Sequence, residues 1–320
     1  MKRIIFSLAA FVFIFCLAAL PAFAADFTQL EYEEIDGSIT ITACAADCEG
    51  SLNIPAQING KSVTVIGSGA FSGCEYIEEI ILPESVEKIE PYAFYGCTAL
   101  KKVNLPATPE TYGEGLFSGC AALEYVSLPK ELEKISDNMF YGCASLKRIT
   151  IPAGVKSIGD NAFAGCENLR AIVLPTELNE LSSNAFQNCT QLFFVRMPKN
   201  ITSIGEYAFA GCKALKIFSL PEDISQIPAG CFTACESLSH IRIPLSVVEI
   251  KAEAFAECPA LADIEFEHDS ADVLIIEDGA FMLSGTLETR ISCPNGDKPN
   301  GALKDYVWGL SGRIVEFISK

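Results

Sequence analysis

Residues 146–166 read Leu146-Lys147-Arg148-Ile149-Thr150-Ile151-Pro152-Ala153-Gly154-Val155-Lys156-Ser157-Ile158-Gly159-Asp160-Asn161-Ala162-Phe163-Ala164-Gly165-Cys166. The first six residues place apolar side chains at 146, 149 and 151, with charged or polar ones between them. That is a short strand with one buried face. Pro152 ends it, because proline has no N–H for a further ladder bond. The chain then returns through Val155, Ile158, Ala162 and Phe163. Gly165 precedes Cys166 and accepts a left-handed backbone, so a short helical turn is expected before the cysteine.

Outward from this stretch the pattern repeats. Cysteines stand at 74, 97, 120, 143, 166, 189, 212, 235 and 258, every step being 23 residues. A phenylalanine lies three residues before each, among them Phe94, Phe140, Phe163 and Phe209, which pair with Cys97, Cys143, Cys166 and Cys212 as a structural ladder. Three residues after each cysteine comes Leu or Ile, and proline closes the strand in eight of the nine units. One such coil cannot bury its own apolar face, whereas stacked copies cover one another. The expected fold is a repeat solenoid, with short parallel β-strands on a concave face and short helical turns and loops on the return side. The residue before the cysteine is Gly in six units and Asn188 in a seventh; Ala234 and Glu257 depart, so those two turns are expected to differ in shape. In the third unit Pro109 and Tyr112 stand where Val and Ile are usual, which predicts a local distortion.

The unit L-x-x-I-x-L-P…V-x-x-I…A-F-x-x-C resembles the BspA-like class of leucine-rich repeats, over about residues 51–290. The resemblance implies a bacterial secreted or cell-surface protein of recognition and adhesion, which binds a protein of a host or neighbouring cell.

The rest of the chain divides around the repeats. Residues 1–24 read as a signal peptide: Lys2 and Arg3, an apolar run from Ile4 to Leu20, then Pro21-Ala22-Phe23-Ala24 before the cleavage point. No later stretch is apolar enough to span a membrane. Residues 25–50 read as an N-terminal β cap, with Asp36-Gly37 as a hairpin turn. Leu52-Asn53-Ile54-Pro55 is a degenerate first repeat with an Asn59-Gly60-Lys61 turn. Residues 51–290 form the solenoid and 291–320 a C-terminal cap, with a helix over 302–310 carrying Trp308 and a strand from Ile314 to Ile318. Near the end the register recovers at Ile276, Phe281 and Leu287, while Ser284 replaces the cysteine.

The mature chain keeps 21 basic residues (all but Lys2 and Arg3) against 41 acidic ones, a net charge near −20. Phosphate binding needs a basic footprint, so nucleic acid is not an expected partner. Two histidines and no serine elbow or phosphate loop give catalysis little to stand on. His240 reads as a solvent-facing strand residue. One inward thiol per coil does not converge on a metal as zinc or iron–sulfur sites require, so no metal and no cofactor are expected. The ladder cysteines read as buried small hydrophobes. Cys44 and Cys48 differ: they are a close pair in a polar cap segment, with a disulfide and two free thiols both open. Leu105-Pro106-Ala107-Thr108 reads as repeat rather than as a wall-sorting signal, since no hydrophobic tail follows it.

The positions left for a ligand are five and seven residues after each cysteine, which flank the inward strand residue. They supply Lys102, Asn104, Tyr125, Arg148, Val173, Phe194, Arg196, Ile217, His240 and Arg242. From 102 to 242 this face holds four basic residues and no acidic one, a local reversal of sign in an acidic chain. Aromatics with arginines are what interface centres favour. An alternative partner is a polysaccharide stacked on Tyr125 and Phe194. The leader reading has a direct check: N-terminal sequencing of the exported chain should start at Ala25, and a chain still starting at Met1 would contradict it.

Overall fold

The structure, a computed structural model, describes residues 29–107, 112–268, 274–285, 289–293 and 316–319. The signal-peptide reading, the helix expected over 302–310, Pro109 and Leu287 lie outside these residues. Each repeat is one coil with three edges. The front edge is the short strand before the proline. Among these are β6 (Tyr76–Ile81), β8 (Lys102–Asn104), β11 (Ala171–Val173), β13 (Phe194–Arg196), β15 (Ile217–Ser219), β17 (His240–Ile243) and β19 (Asp263–Phe266). They pair in parallel, coil to coil. The second edge is a two-residue strand such as Ser157–Ile158, parallel to its neighbours at Lys134–Ile135 and Glu180–Leu181.

The third edge is the turn around each phenylalanine, and it corrects one expectation. No helix is present among the described residues. The amides that a helix would bond within itself are given to the next coil instead. In one coil Tyr92, Phe94 and Gly96 donate their N–H groups to the carbonyls of Glu114, Leu116 and Ser118, at 2.8, 3.1 and 2.8 Å. Their own peptide units accept, through the carbonyls of Pro91, Ala93 and Tyr95, from Gly69, Phe71 and Gly73 of the coil before. Three peptide units per coil thus point along the stack, N–H forward and C=O back. Turning alternate units the same way requires a left-handed residue on each side of the phenylalanine. Both are present in every coil, for example Asn161 (φ 53°) and Gly165 (φ 75°) around Phe163. Ala234 (φ 57°) and Glu257 (φ 56°) take the same conformation, so their turns keep the common shape despite the residue type.

This turn ladder is unbroken from Phe71 to Phe255, while both sheets lapse. The second sheet skips the third coil, where Tyr112 replaces the usual Ile; its ring is buried and its hydroxyl donates to the Pro106 carbonyl at 3.0 Å. It lapses again between Ser203–Ile204 and Gln226–Ile227. There Pro228 has no N–H to give to Ile204, whereas the neighbouring coil bonds Gly205 N–H to the Leu181 carbonyl at 2.7 Å. The front sheet lapses between β8 and β11 apart from a single Asn104–Ser127 bridge, so the stretch 146–151 is not a hydrogen-bonded strand although its sequence fits best. It lapses once more between β13 and β15.

The core is the side-chain counterpart of these ladders. The phenylalanines from 71 to 281 stack ring on ring at 5.1–5.7 Å, within 20° of parallel. Stacked pairs add about 0.5–1.5 kcal/mol each beyond the area they bury. Each ladder thiol from Cys97 to Cys258 donates to the phenylalanine carbonyl of the preceding coil, at 3.0–3.3 Å. That carbonyl also accepts an amide inside its own turn, so the thiol satisfies its second lone pair. At 284 the serine hydroxyl makes the same bond to the Phe255 carbonyl, a substitution that keeps the donor. Burial pushes the thiols from Cys120 to Cys258 above the ordinary range, Cys258 to about 12. They are inert core.

At the N-terminal end, β1 (Leu30–Ile35) and β2 (Ser38–Cys44) form an antiparallel hairpin turned by Asp36 and Gly37. β2 then pairs in parallel with the strand Lys61–Ile66, which places the hairpin over the open end of the stack. Gln57–Ile58 folds back on Lys61–Ser62 through Asn59 and Gly60, both left-handed. At the far end a strand Glu316–Ser319 pairs beside Arg290–Cys293.

A left-handed alanine is strained by roughly 1 kcal/mol, a strain that glycine lacks. Ala234→Gly should therefore raise the unfolding free energy by about 0.5–1 kcal/mol. Gly142→Ala, at φ 70°, should lower it by at least as much. Urea unfolding midpoints check both; a destabilised Ala234→Gly chain would contradict the turn geometry.

Candidate functional site

The front strands turn their middle residue inward and the residues on either side outward, as expected from the pleat. Strand register, and the 23-residue period where the sheet lapses, place the outward side chains in two columns. One runs Glu79, Lys102, Tyr125, Arg148, Ala171, Phe194, Ile217, His240, Asp263; the other runs Ile81, Asn104, Ser127, Thr150, Val173, Arg196, Ser219, Arg242, Glu265. Every sequence-selected ligand position therefore lies on one face. They are not equivalent.

At the two ends of the face the charges are already satisfied. Lys102 Nζ donates to Glu79 Oε1 at 2.7 Å, and the Glu79 carboxyl is held below its usual range by that bond. Arg242 lies between Glu222 (2.9 Å) and Glu267 (2.6 Å), and both carboxylates raise its guanidinium further. His240 Nδ1 is 3.0 Å from Asp263 Oδ2, with Ile217 beside it in register and hence no nucleophile in that place. Asn104 is engaged by the backbone: its amide donates to the Leu82 carbonyl at 3.0 Å and its oxygen accepts from the Leu82 N–H at 2.8 Å. The sign reversal expected over 102–242 is thus partly cancelled. The acids that cancel it come from positions outside the two columns (Glu222, Glu267) or from the neighbouring coil (Glu79).

The centre is different. Among the described residues Arg148 and Arg196 make no ion pair. Between and beside them stand Val173, Phe194 and Ile217, which are 53%, 47% and 64% exposed. Phe193 adds a further ring, 55% exposed. It sits one residue before the outward pair and escaped the two-column rule. Its signal was available: the same position in the preceding coils holds Glu78, Lys101, Glu124, Lys147 and Arg170, all charged. Tyr125 is also half exposed, two coils before Ala171 in the column.

Other places offer less chemistry. A shallow cleft beside the cap hairpin is lined by Glu33, Thr40, Lys88 and Glu90, but Lys88 pairs with Glu90 at 2.9 Å and lowers its carboxyl. His268 is buried and donates Nε2–H to the Val247 carbonyl at 2.7 Å. Cys44 and Cys48 are thiols here, and Cys44 also meets Cys74, whose contact together with burial raises it. Cys48 donates to Gln29 Oε1 at 3.4 Å. Among the described residues no three ligating side chains converge in metal-binding geometry. No helix there is long and apolar enough to cross a membrane.

Stacked parallel strands with a buried Leu/Phe/Cys spine define a leucine-rich-repeat solenoid. The model of the BspA type leucine rich repeat region, in six copies, matches residues 48–170 and 156–288, and the chain belongs to that family. Among solved structures, a leucine-rich repeat protein from Bacteroides ovatus is 21% identical, with 84% of each chain covered and a TM-score of 0.61. This likeness shows the fold. A leucine rich cell surface protein from Faecalibacterium prausnitzii is 24% identical over 80% of this chain and 95% of that one, with a TM-score of 0.38. The pneumococcal vaccine antigen PcpA is 18% identical over 91% and 97%, with a TM-score of 0.46. No curated protein matches the chain.

Proposed function

We propose that this chain is an exported recognition protein, at the cell surface or released from it, which docks a protein partner on the centre of its front strands. One observation carries the reading: Val173, Phe193, Phe194 and Ile217 form an exposed apolar patch beside two arginines that make no ion pair among the described residues. Scattered single hydrophobes need no explanation, but a contiguous patch rimmed by polar residues marks an interaction surface. Aromatic residues and arginine are the types that carry binding energy there. The inward residues are uniform from coil to coil and carry the fold, which leaves the outward residues free to vary with the ligand.

Membership of the BspA-type family is consistent with recognition and adhesion in general terms. One of the similar structures is that of a cell surface protein and another that of a vaccine antigen, in keeping with an outward location. The partner class rests on the patch alone. A glycan-binding module is the second reading, favoured by the exposed rings of Tyr125 and Phe194.

Capture of a panel of extracellular matrix proteins and purified polysaccharides by the immobilised mature chain separates the two. The Phe194→Ser/Ile217→Ser double variant changes only exposed side chains and should fold as the parent, with an unchanged thermal midpoint. Its protein capture should weaken at least about 30-fold, the loss of about 2 kcal/mol that a hot spot carries. Tyr125→Ala should matter little for a protein partner. Capture of polysaccharide alone, abolished by Tyr125→Ala, would replace the protein reading by the glycan one. Binding unaffected by either variant would move the site off this face.

A further inference from the structure

The docking surface proposed above, on which this inference rests, also constrains the chemistry of its occupant. In the four coils after Cys143, Cys166, Cys189 and Cys212, the front edge runs over 147–150, 170–173, 193–196 and 216–219. These positions hold five cations, Lys147, Arg148, Arg170, Arg196 and Lys216, and no carboxylate. The coil before them carries Glu124 there, and Glu79, Asp263 and Glu265 stand further out toward the ends of the face, while the coils at 101–104 and 239–242 hold no acid either. Acid is therefore absent from the front edges of five consecutive coils, from Lys147 to Arg242, and these include the coils that display the apolar patch.

Pairing sharpens the contrast. Lys147 is bound to Glu124 at 3.0 Å, but Arg148, Arg170, Arg196 and Lys216 are exposed and make no ion pair among the described residues. Elsewhere on this face the cations are met by the chain's own carboxylates, as Lys102 and Arg242 are. A chain with net charge −18 has abundant acid to neutralise its cations, yet at the centre of this face four of them make no ion pair among the described residues. A guanidinium covered by a neutral surface loses its hydration without return, whereas a carboxylate meets its fork with two hydrogen bonds.

We infer that the occupant is an acidic protein segment whose carboxylates meet Arg148 and Arg196, with an apolar side chain over Val173 between them and a further apolar contact on Phe194 and Ile217 beside Arg196. Arg148 and Arg196 are two coils apart, roughly 10–12 Å at strand spacing, which an extended segment spans in about three or four residues. The occupant thus carries Asp or Glu at positions about three or four apart, with an aliphatic or aromatic residue between them. A sulfated polysaccharide would satisfy the arginines but would leave the patch of Val173, Phe193, Phe194 and Ile217 against a hydrated surface, so the segment is the better match.

The test is selection of a random linear peptide library on the immobilised mature chain, with dextran sulfate as a second probe. Enriched peptides should be net acidic, with carboxylates around an apolar residue. The best of them, made synthetically, should bind at least about tenfold more weakly to the Arg148→Ser/Arg196→Ser variant and weaken steadily as salt is raised. A Lys102→Ser/Arg242→Ser control should bind it nearly as the parent does. Enrichment of neutral or basic peptides overturns the inference; if their capture falls with Phe194→Ser/Ile217→Ser, the docking face survives while its acidic occupant does not. Peptides indifferent to all of these substitutions defeat both readings. Dextran sulfate bound through the arginines, with no acidic enrichment among peptides, assigns the charges to a polyanionic glycan and also overturns it, as does failure to enrich any peptide over an unrelated protein.

Discussion

The structure depends on one backbone interaction, the hydrogen bond that each turn amide gives to the coil after it. Three peptide units per turn are set along the stack axis, and each accepts from one coil and donates to the next. A parallel sheet asks only for extended residues, which many sequences supply. This turn asks for two left-handed residues, placed on either side of a buried phenylalanine, and so fixes a distinctive pattern of Gly and Asn. Once the turns are stacked, the phenylalanine rings are brought to stacking distance and each thiol to the carbonyl behind it. The two sheets then add pairing where the local sequence allows and lapse where it does not, as at Pro228.

That order of dependence explains what the sequence made legible. Phe163, Cys166 and Leu169 could be placed in the core because each meets its own copy in the next coil, so a period of 23 carries the contact directly. The turn type was not legible in the same way. Gly165 is compatible with a helix cap and with this stacked turn, and only the partners of its amide distinguish them. Ala234 and Glu257 looked like departures because residue preference was read alone; the coils above and below hold them in the common shape. The cysteine column was legible as core but not as donor, a role that Ser284 makes plain by substituting a hydroxyl.

For the front face, the outward columns followed from alternation, yet their division into ends and centre did not. Whether Arg242 is free depends on Glu222 and Glu267, which lie outside the columns and reach it only after folding. Arg196, at the same strand position as Arg242, and Arg148, in the other column, have no such neighbours among the described residues. Phe193 was missed because the rule counted two positions per strand, although the strand edge exposes a third. Fold and recognition are thereby carried by different atoms of the same coil: the turn and the inward residues hold the stack, and the outward residues can change without disturbing it.

The central claim is that the turn ladder, not the sheets, makes the stack continuous, and amide hydrogen exchange on the mature chain tests it most directly. The step between the coil of Phe209 and the coil of Phe232 is decisive, because both sheets lapse there while Tyr207, Phe209 and Gly211 still donate across it. Their amides should be protected within about tenfold of those of Asn161, Phe163 and Gly165, where the second sheet is intact. Exchange of the Tyr207, Phe209 and Gly211 amides at the rate of exposed loops, with the sheet amides on either side still protected, would contradict the account.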